Sequence, residues 1–326
     1  MGYGHLTIDE REVILKMRAQ QASMRQIADT LGRSAGTISR ELSRNVSSTQ
    51  DYKAHLAQRY YEKRREASKE PYRLEEDEFL RAYVEEKLQE YWSPEQISGR
   101  IKKDRGIRIS PLTVYNWIYR DHAGGGEFYR YLRQNHRRRR KRRGGQDRRG
   151  QMPDRRMIDK RPSVVNERKR IGDWEGDTVE GSKGSGFIAT HVERKTRYTM
   201  AIKVADKSAE TVTQATILAM KNLPPEKVKT MTFDNGREFA GFKELERVLE
   251  MRSYFARPYH SWERGTNENT NGLLRQFFPK GMDFGTIIQL DVDMALELLN
   301  NRPRKCLNYR TPTEVFGSKP MCCASD

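Results

Sequence analysis

Cysteine is nearly missing from this sequence: three in 326 residues, Cys306, Cys322 and Cys323, all close to the C-terminus. A disulfide framework is thereby excluded, no Cys/His set has zinc spacing, and the thiols fit a reducing compartment. No run approaches the roughly 18 consecutive apolar residues of a membrane span. A basic amphipathic helix with an aromatic face, suited to an anionic membrane surface, is also absent. The opening Met1-Gly-Tyr-Gly-His5 lacks the charged and apolar regions of a secretory signal. The expectation is a cytoplasmic protein with no membrane partner. Acids are short as well, 45 against 62 Lys and Arg, for a formal charge of +17. An excess of that size implies a polyanionic partner, most commonly nucleic acid. A basic but otherwise ordinary soluble protein is the alternative.

Two or three domains are expected from the length. Residues 5–45 read as three short helices. Thr7-Ile-Asp-Glu10 is a capping box that opens a helix running to about Ala19. Ser23 can cap a second, Met24 to Leu31; Gly32 permits a tight turn, and Ser34 can cap a third running to about Arg44. Two short helices joined through a glycine turn are a helix-turn-helix signature. At about 100° per residue, Ala35, Ile38 and Leu42 share one face of the third helix, with Thr37, Arg40 and Arg44 opposite. Such a helix packs by one side and offers Arg and Thr to a major groove by the other. Arg33, Thr37, Arg40 and Arg44 are therefore candidate DNA contacts. A small helical bundle with a solvated basic face would show the same pattern.

Phe79, Leu80, Tyr83, Val84 and Leu88 predict an amphipathic helix over roughly 74–90. Ser93-Pro94-Glu95-Gln96 supplies a cap, a proline at the first helical position and a capping-box Gln, and that helix should end at Gly106. Ser110-Pro111 repeats the start signal ahead of Val114, Trp117 and Ile118. This reads as a second helix-turn-helix with a longer turn, or as a helical spacer. Beyond Gly124-Gly-Gly126 come Arg137, Arg138, Arg139, Arg140, Lys141, Arg142 and Arg143. Adjacent cations repel, so 136–162 is expected to be extended or disordered. On DNA it would follow phosphates, adding affinity and salt sensitivity without reading sequence; a nuclear address is the alternative. The domain scheme is 1–50 helix-turn-helix, 51–122 helical with a second helix-turn-helix, 123–165 basic linker and 166–320 catalytic.

From about 166 the pattern turns to strands and helices. Gly172–Glu180, Phe187–Val192 and Tyr198–Val204 predict an antiparallel meander, followed by a helix over Ala209–Asn222. A strand over Val228–Phe233, a helix over Phe239–Met251, a strand over Ser253–Ala256 and a helix from about Arg264 to Phe278 complete the pattern. That order predicts an α/β ribonuclease H-like domain, a mixed five-stranded sheet with flanking helices, preceded by all-α helix-turn-helix units. Three acids stand out by position: Asp177 in the first strand, Asp234 at the end of the fourth, and Glu268 in the last helix. Phosphodiester chemistry favours such placement, because two Mg²⁺ ions about 3.5–4 Å apart can activate the attacking oxygen and stabilise the leaving one. Magnesium takes oxygen donors and keeps several waters, so a few carboxylates plus the DNA phosphate suffice. On the last helix Leu273, Leu274, Phe277 and Phe278 cluster, with Glu268 nearly opposite and Arg264, Gly272 and Arg275 near its side. Gly272 leaves room for a close ligand, and Arg264 and Arg275 could meet phosphate. A solvated glutamate is the ordinary alternative for Glu268. Asp173 and Glu175 share the strand face of Asp177; Asp173 could be a decoy, an ion-pair partner or an auxiliary ligand.

The segment from Pro258 to Gly281, with Trp174-Glu-Gly-Asp177-Thr-Val, Asp234-Asn-Gly-Arg-Glu-Phe239 and the ending Asn301 to Phe316, closely resembles the insertion sequence thirty family of bacterial transposases. The resemblance spans essentially the whole chain, including Thr37-Ile-Ser-Arg-Glu-Leu42. It implies a catalytic triad of Asp177, Asp234 and Glu268, which would also hold the metal, Mg²⁺ with Mn²⁺ as a substitute. No other cofactor is expected. The implied partner is double-stranded DNA, both terminal inverted repeats and target, cut and joined through a circular intermediate with abutted ends. Joining two ends implies a homodimer or higher oligomer on DNA, associated with the nucleoid. A DNA-binding regulator with an inactive core and a structure-specific nuclease are the competing readings. Intact acids weigh against the first, and two sequence-reading units against the second.

Overall fold

A computed structural model describes residues 4–45, 52–67, 72–133, 154–257, 263 and 265–317. The chain divides into two compact units, Met1–Asp77 and Glu78–Asp326. Among the described residues no helix is long and apolar enough to cross a membrane.

The first unit is helical: α1 (Ile8–Ala19), α2 (Met24–Leu31), α3 (Ala35–Asn45), α4 (Ala54–Ala67) and the short α5 (Arg73–Glu76). Local chemistry sets the first three. Thr7 and Ser23 each form a capping box, with Glu10 and Gln26, and Gly32 takes the left-handed φ of 60° that ends α2. Ile14, Ile27, Ile38, Leu42 and Ala57 make the core. A buried ion pair lies inside it: Arg11 Nε meets Glu41 Oε1 at 2.8 Å, and Arg11 also donates to the Leu6 carbonyl and to Gln58 Oε1. Helix α4 was not anticipated, since its apolar residues are few and basic ones crowd it. The helix expected over 74–90 is divided at Asp77, whose extended backbone closes α5.

The second unit starts with α6 (Glu78–Gln89), α7 (Pro94–Arg105) and α8 (Pro111–Ala123). Ser93 and Ser110 cap α7 and α8 as their sequences predict, and Gly106 ends α7 in the left-handed region. A 3₁₀ turn at Phe128–Tyr131 packs back on them, Phe128 against Trp117. Part of the segment expected as a linker is ordered: Ile158–Lys160 forms a 3₁₀ turn and α9 (Ser163–Glu167) follows. Met157 bridges to Phe255, and the buried Arg161 donates to the Thr232 hydroxyl. The arginine run 137–143 and Arg264 lie outside the described residues.

The sheet holds β1 (Asp173–Glu180), β2 (Phe187–Glu193), β3 (Thr199–Val204), β4 (Thr230–Phe233) and β5 (Arg252–Phe255), in the order β3-β2-β1-β4-β5. The first three form the predicted antiparallel meander, and β4 and β5 add in parallel. This is the mixed, ribonuclease H-like sheet. One face packs α10 (Ala209–Met220) and α11 (Phe242–Leu249) through Trp174, Met231, Phe233 and Phe255. The other carries α12 (Gly265–Leu274) and α13 (Gln289–Asn300) over Val179, Ile188 and Ala201, and α14 (Pro312–Gly317) closes the described chain. The helix expected over 239–251 begins later: a 3₁₀ turn occupies Arg237–Phe239 and α11 starts after Gly241.

Candidate functional site

Alternation along β1 turns Trp174 into the apolar core and Asp173, Glu175, Asp177 and Val179 towards α12 and α13. The three acids then separate by partner. Asp173 forms a two-pronged pair with Arg170 at 2.8 and 2.9 Å and accepts from the Thr230 hydroxyl, so it is an ion-pair partner. Glu175 is fully buried, takes Arg194 Nη1 at 2.7 Å and accepts the Asn267 backbone N–H at 2.9 Å, fastening the start of α12. Asp177 is half-buried; its Oδ1 accepts from the Thr178 N–H and its Oδ2 from Asn271 Nδ2 at 3.0 Å.

Asp234 follows β4 directly. The parallel register pairs Asp173 with Thr230 and Glu175 with Thr232. The pairing ends at Glu175 and Thr232; Asp177 lies two residues beyond it within β1, and Asp234 two residues beyond it, just past the end of β4. Between them Gly176 is required, because any Cβ there would run into the Phe233 ring. The loop beyond β4 is held by hydrogen bonds: Gly236 N–H donates to Asp234 Oδ1 at 2.8 Å, Asn235 donates to the Ala256 carbonyl, and Arg155 donates to Asn235.

Helix α12 buries Thr266, Asn267 and Thr270 as well as Leu273 and Leu274. Wheel reasoning identified the Leu face and missed the polar one. Asn267, Asn271 and Arg275 follow β1 in step, meeting Glu175, Asp177 and the Glu180 carbonyl respectively. The Thr190 hydroxyl on β2 donates to Asn271 Oδ1 at 3.0 Å, which fixes the amide that donates to Asp177. Asn271 and Thr190 are the residues sequence reasoning missed; their signal is the four-residue spacing of Asn267 and Asn271 on a helix bearing an acid. Glu268 lies on the exposed flank of α12. Arg275 is engaged with the Glu180 and Phe278 carbonyls, and burial lowers its pKa. A Cβ at Gly272 would come within 3.0 Å of Arg133 Nη2, so the room it leaves is taken by that guanidinium.

The structure thus places Asp177 within β1 and Asp234 just past the end of the neighbouring β4, with Glu268 on the exposed flank of α12. Among the described residues no group of three or more His, Cys, Asp or Glu is gathered to hold a metal ion. The two aspartates offer only oxygen donors. Such a pair fits a hard divalent cation that keeps much of its water.

In the first unit α3 buries Ile38, Glu41 and Leu42 and exposes Arg40 and Arg44; Ala35, expected on the buried face, is exposed. Thr37, Arg40 and Arg44 line a groove of about 780 Å³ together with Tyr61, Arg64 and Arg65 of α4. Arg33 is turned inward: its Nε meets Glu10 at 2.9 Å and its Nη1 the Gly4 carbonyl. That hydrogen bond from Arg33 holds the Glu10 carboxyl below its usual range.

Residues 3–45 match a helix-turn-helix domain family, and residues 167–261 match the integrase core domain family. The chain is 38% identical to the transposase for insertion sequence element IS4351 of Bacteroides fragilis, over 96% of this chain and 95% of that protein. It is 37% identical to the transposase for insertion sequence element IS1086 of Cupriavidus metallidurans, over 96% and 94%. Transposase InsI for insertion sequence element IS30A of Escherichia coli is 38% identical, over 96% and 83%. A catalytic core domain of BIV integrase aligns over 44% of this chain and 92% of its own at 20% identity and a TM-score of 0.37. The fold is read from the sheet order above and not from that likeness.

Proposed function

We propose a reaction for this chain from one premise: it belongs to the insertion sequence 30 family of bacterial transposases, whose integrase core cleaves DNA and transfers strands. The chain binds the terminal inverted repeats of its element, cuts them and joins the freed 3′-hydroxyl to a target phosphate, through a circular intermediate with abutted ends. Asp177, Asp234 and Glu268 are the catalytic carboxylates. The observation that supports this is the parallel pairing of β1 with β4, with Asp177 two residues past its last pair in β1 and Asp234 two residues past it beyond β4.

A divalent cation, Mg²⁺ with Mn²⁺ as a substitute, would supply Lewis acidity at the scissile phosphate and favour the ionised attacking oxygen. Asn271, itself held by Thr190, keeps the Asp177 carboxylate turned in one direction. The Gly236 N–H does the same for Asp234. Glu268, on the same helix as Asn271, completes the set when DNA is engaged. Fixing these groups beforehand leaves less reorganisation for the reaction itself. Arg40 and Arg44, with Thr37, read the repeats in a major groove, while the arginine run 137–143 and Arg264 meet phosphates. Two ends joined in one reaction call for at least two copies of the chain on DNA, within the nucleoid.

The test is strand cleavage and joining on abutted inverted repeats, in Mg²⁺ or EDTA, by wild type, Asp177→Asn and Glu268→Gln. Magnesium-dependent joining by wild type, with variants that bind DNA but react at least about 10³-fold more slowly, is the expected result. Wild type that binds the repeats but cuts in neither Mg²⁺ nor Mn²⁺ would establish a regulator instead.

A further inference from the structure

Besides the aspartate face, the second unit holds a cavity of about 200 Å³ to which α12 contributes Asn269 and Leu273. Three guanidiniums converge on it, from Arg133, Arg302 and Arg304, beside the rings of Tyr91 and Tyr131. Arg302 is only 3% exposed. Its Nη1 donates to Gln276 Oε1 at 3.1 Å, but among the described residues its Nε and Nη2 have no acceptor, and neither does Nε of Arg304. Arg304 is otherwise held by one bond, from its Nη2 to the Leu299 carbonyl. Among the described residues no carboxylate pairs with any of the three.

A buried N–H without an acceptor is costly, and like charges placed together add to the cost. Burial pulls Arg302 down to about 9, with Arg304 and Arg133 pushing the same way, and burial brings Arg304 to about 10. Arg302 and Arg304 remain cationic at neutral pH. The arrangement is held open by its surroundings. Gln276 spans it, accepting from Arg302 and donating to the Tyr131 carbonyl, while Tyr91 sits edge-on to both Tyr131 and Phe277. Gly272 lets Arg133 approach α12 where any side chain would crowd it.

We propose that this cavity seats a phosphate of the DNA substrate, with exposed Arg133 at its rim and Arg302 and Arg304 beneath. Three guanidinium forks line this cavity, and such forks match the tetrahedral oxygens of a phosphate. Its anionic charge offsets the mutual repulsion of the three arginines. Asn269 lines the cavity and follows Glu268 in sequence, so a strand seated there passes beside the third proposed carboxylate. The phosphate chemistry stands on the arginines alone; the choice of DNA as its source rests on the transposase reading.

The experiment uses the full chain and an inverted-repeat duplex, measuring affinity across a salt series for wild type, Arg133→Gln and Arg304→Gln. Arg247→Gln, an exposed arginine on α11, is the control. Each lost phosphate contact should reduce the slope of log affinity against log salt by about 1, in both cavity variants and not in the control. A parallel arm melts each protein in inorganic phosphate and in chloride at equal ionic strength. Cavity variants with the wild-type slope overturn a DNA source. If phosphate then raises the melting temperature of wild type but not of Arg133→Gln, the seat belongs to the free ion; if it raises neither, there is no seat. Reduced slopes in the cavity variants beside a wild type that never cleaves DNA would keep the seat and sink the transposase reaction. Normal cleavage by wild type with unchanged variant slopes would keep the reaction and overturn the cavity as a seat for a DNA phosphate.

Discussion

The two helix-turn-helix patterns are built alike and used differently. In each, a serine caps the middle helix through a Ser/Gln box (Ser23 with Gln26, Ser93 with Gln96), a left-handed glycine ends it (Gly32, Gly106), and a second serine opens the next helix. In the first unit, Arg40 and Arg44 of α3 face solvent, and α4 adds Arg64 and Arg65 to the same groove. In the second, Arg100 and Lys103 of α7 are taken up by the C-terminal part of the chain. Arg100 pairs with Glu314 at 2.6 Å, Lys103 donates to the Asn308 carbonyl, and Glu95 takes Lys305. Gly99 lies directly under the Tyr309 ring. Local chemistry makes the motif, and tertiary contact decides whether its charges remain available to a partner.

The strongest way to break the comparison is to remove the first unit's own internal pair. Arg11→Met leaves the Glu41 carboxylate buried without its cation and should destabilise Met1–Asp77 by about 3–5 kcal/mol. Adding Glu41→Leu should recover most of that loss. Both are read by denaturant unfolding, and a single variant as stable as wild type would show the pair to be dispensable. Next in size is Gly99→Leu. It drives a side chain into the Tyr309 ring and should cost the second unit about 3 kcal/mol, with the first unit's melting unchanged. Equal stability would mean that α7 does not depend on that contact.

Legibility followed the same division between local and tertiary causes. Thr7, Ser23, Ser93 and Ser110 were readable because a cap acts within four residues of itself. The strands were readable because one sheet face is apolar. Buried pairs were not: alternation puts Asp173 and Glu175 on the face of Asp177, but only the folded chain brings Arg170 to one and Arg194 to the other. Ordered 154–162 was read as linker because its anchor, Arg161 against Thr232, bridges 71 positions of sequence. Helix α13 buries Val292, Ala295, Leu296 and Leu299 at helical spacing, a signal present in the sequence itself. Arg33 and Arg275 looked like free cations from the sequence, and both spend their charge inside the protein.

Function sharpens the contrast further. Arg40→Ala should weaken discrimination at one base-pair position of the inverted repeat by about 2 kcal/mol if it makes a bidentate guanine contact. Lys103→Ala on α7 should leave that preference unchanged, since its ammonium is already bound to the Asn308 carbonyl. Binding competition among single-base variants of the repeat measures both. A preference untouched by Arg40→Ala would remove α3 from the role of recognition helix.

The smallest effect concerns pH. The Arg100 guanidinium, with help from the Thr311 N–H, holds the Glu314 carboxyl below its usual range. A carboxyl with a lowered folded pKa stabilises the fold fully above the ordinary glutamate value of about 4.3, and the contribution disappears as pH falls through the lower, folded value. Glu314 is 41% exposed, so solvent screening holds the pair to below about 1 kcal/mol. Glu314→Gln should therefore lower the melting temperature of the second unit slightly at pH 7, and the difference should shrink as the pH falls through the lowered pKa of folded Glu314 and wild type loses the same charge. A difference that persisted in acid would show that Glu314 acts through its bond to Thr311 and not through Arg100. The attachment of α7 would then rest on Gly99 and Tyr309 rather than on charge.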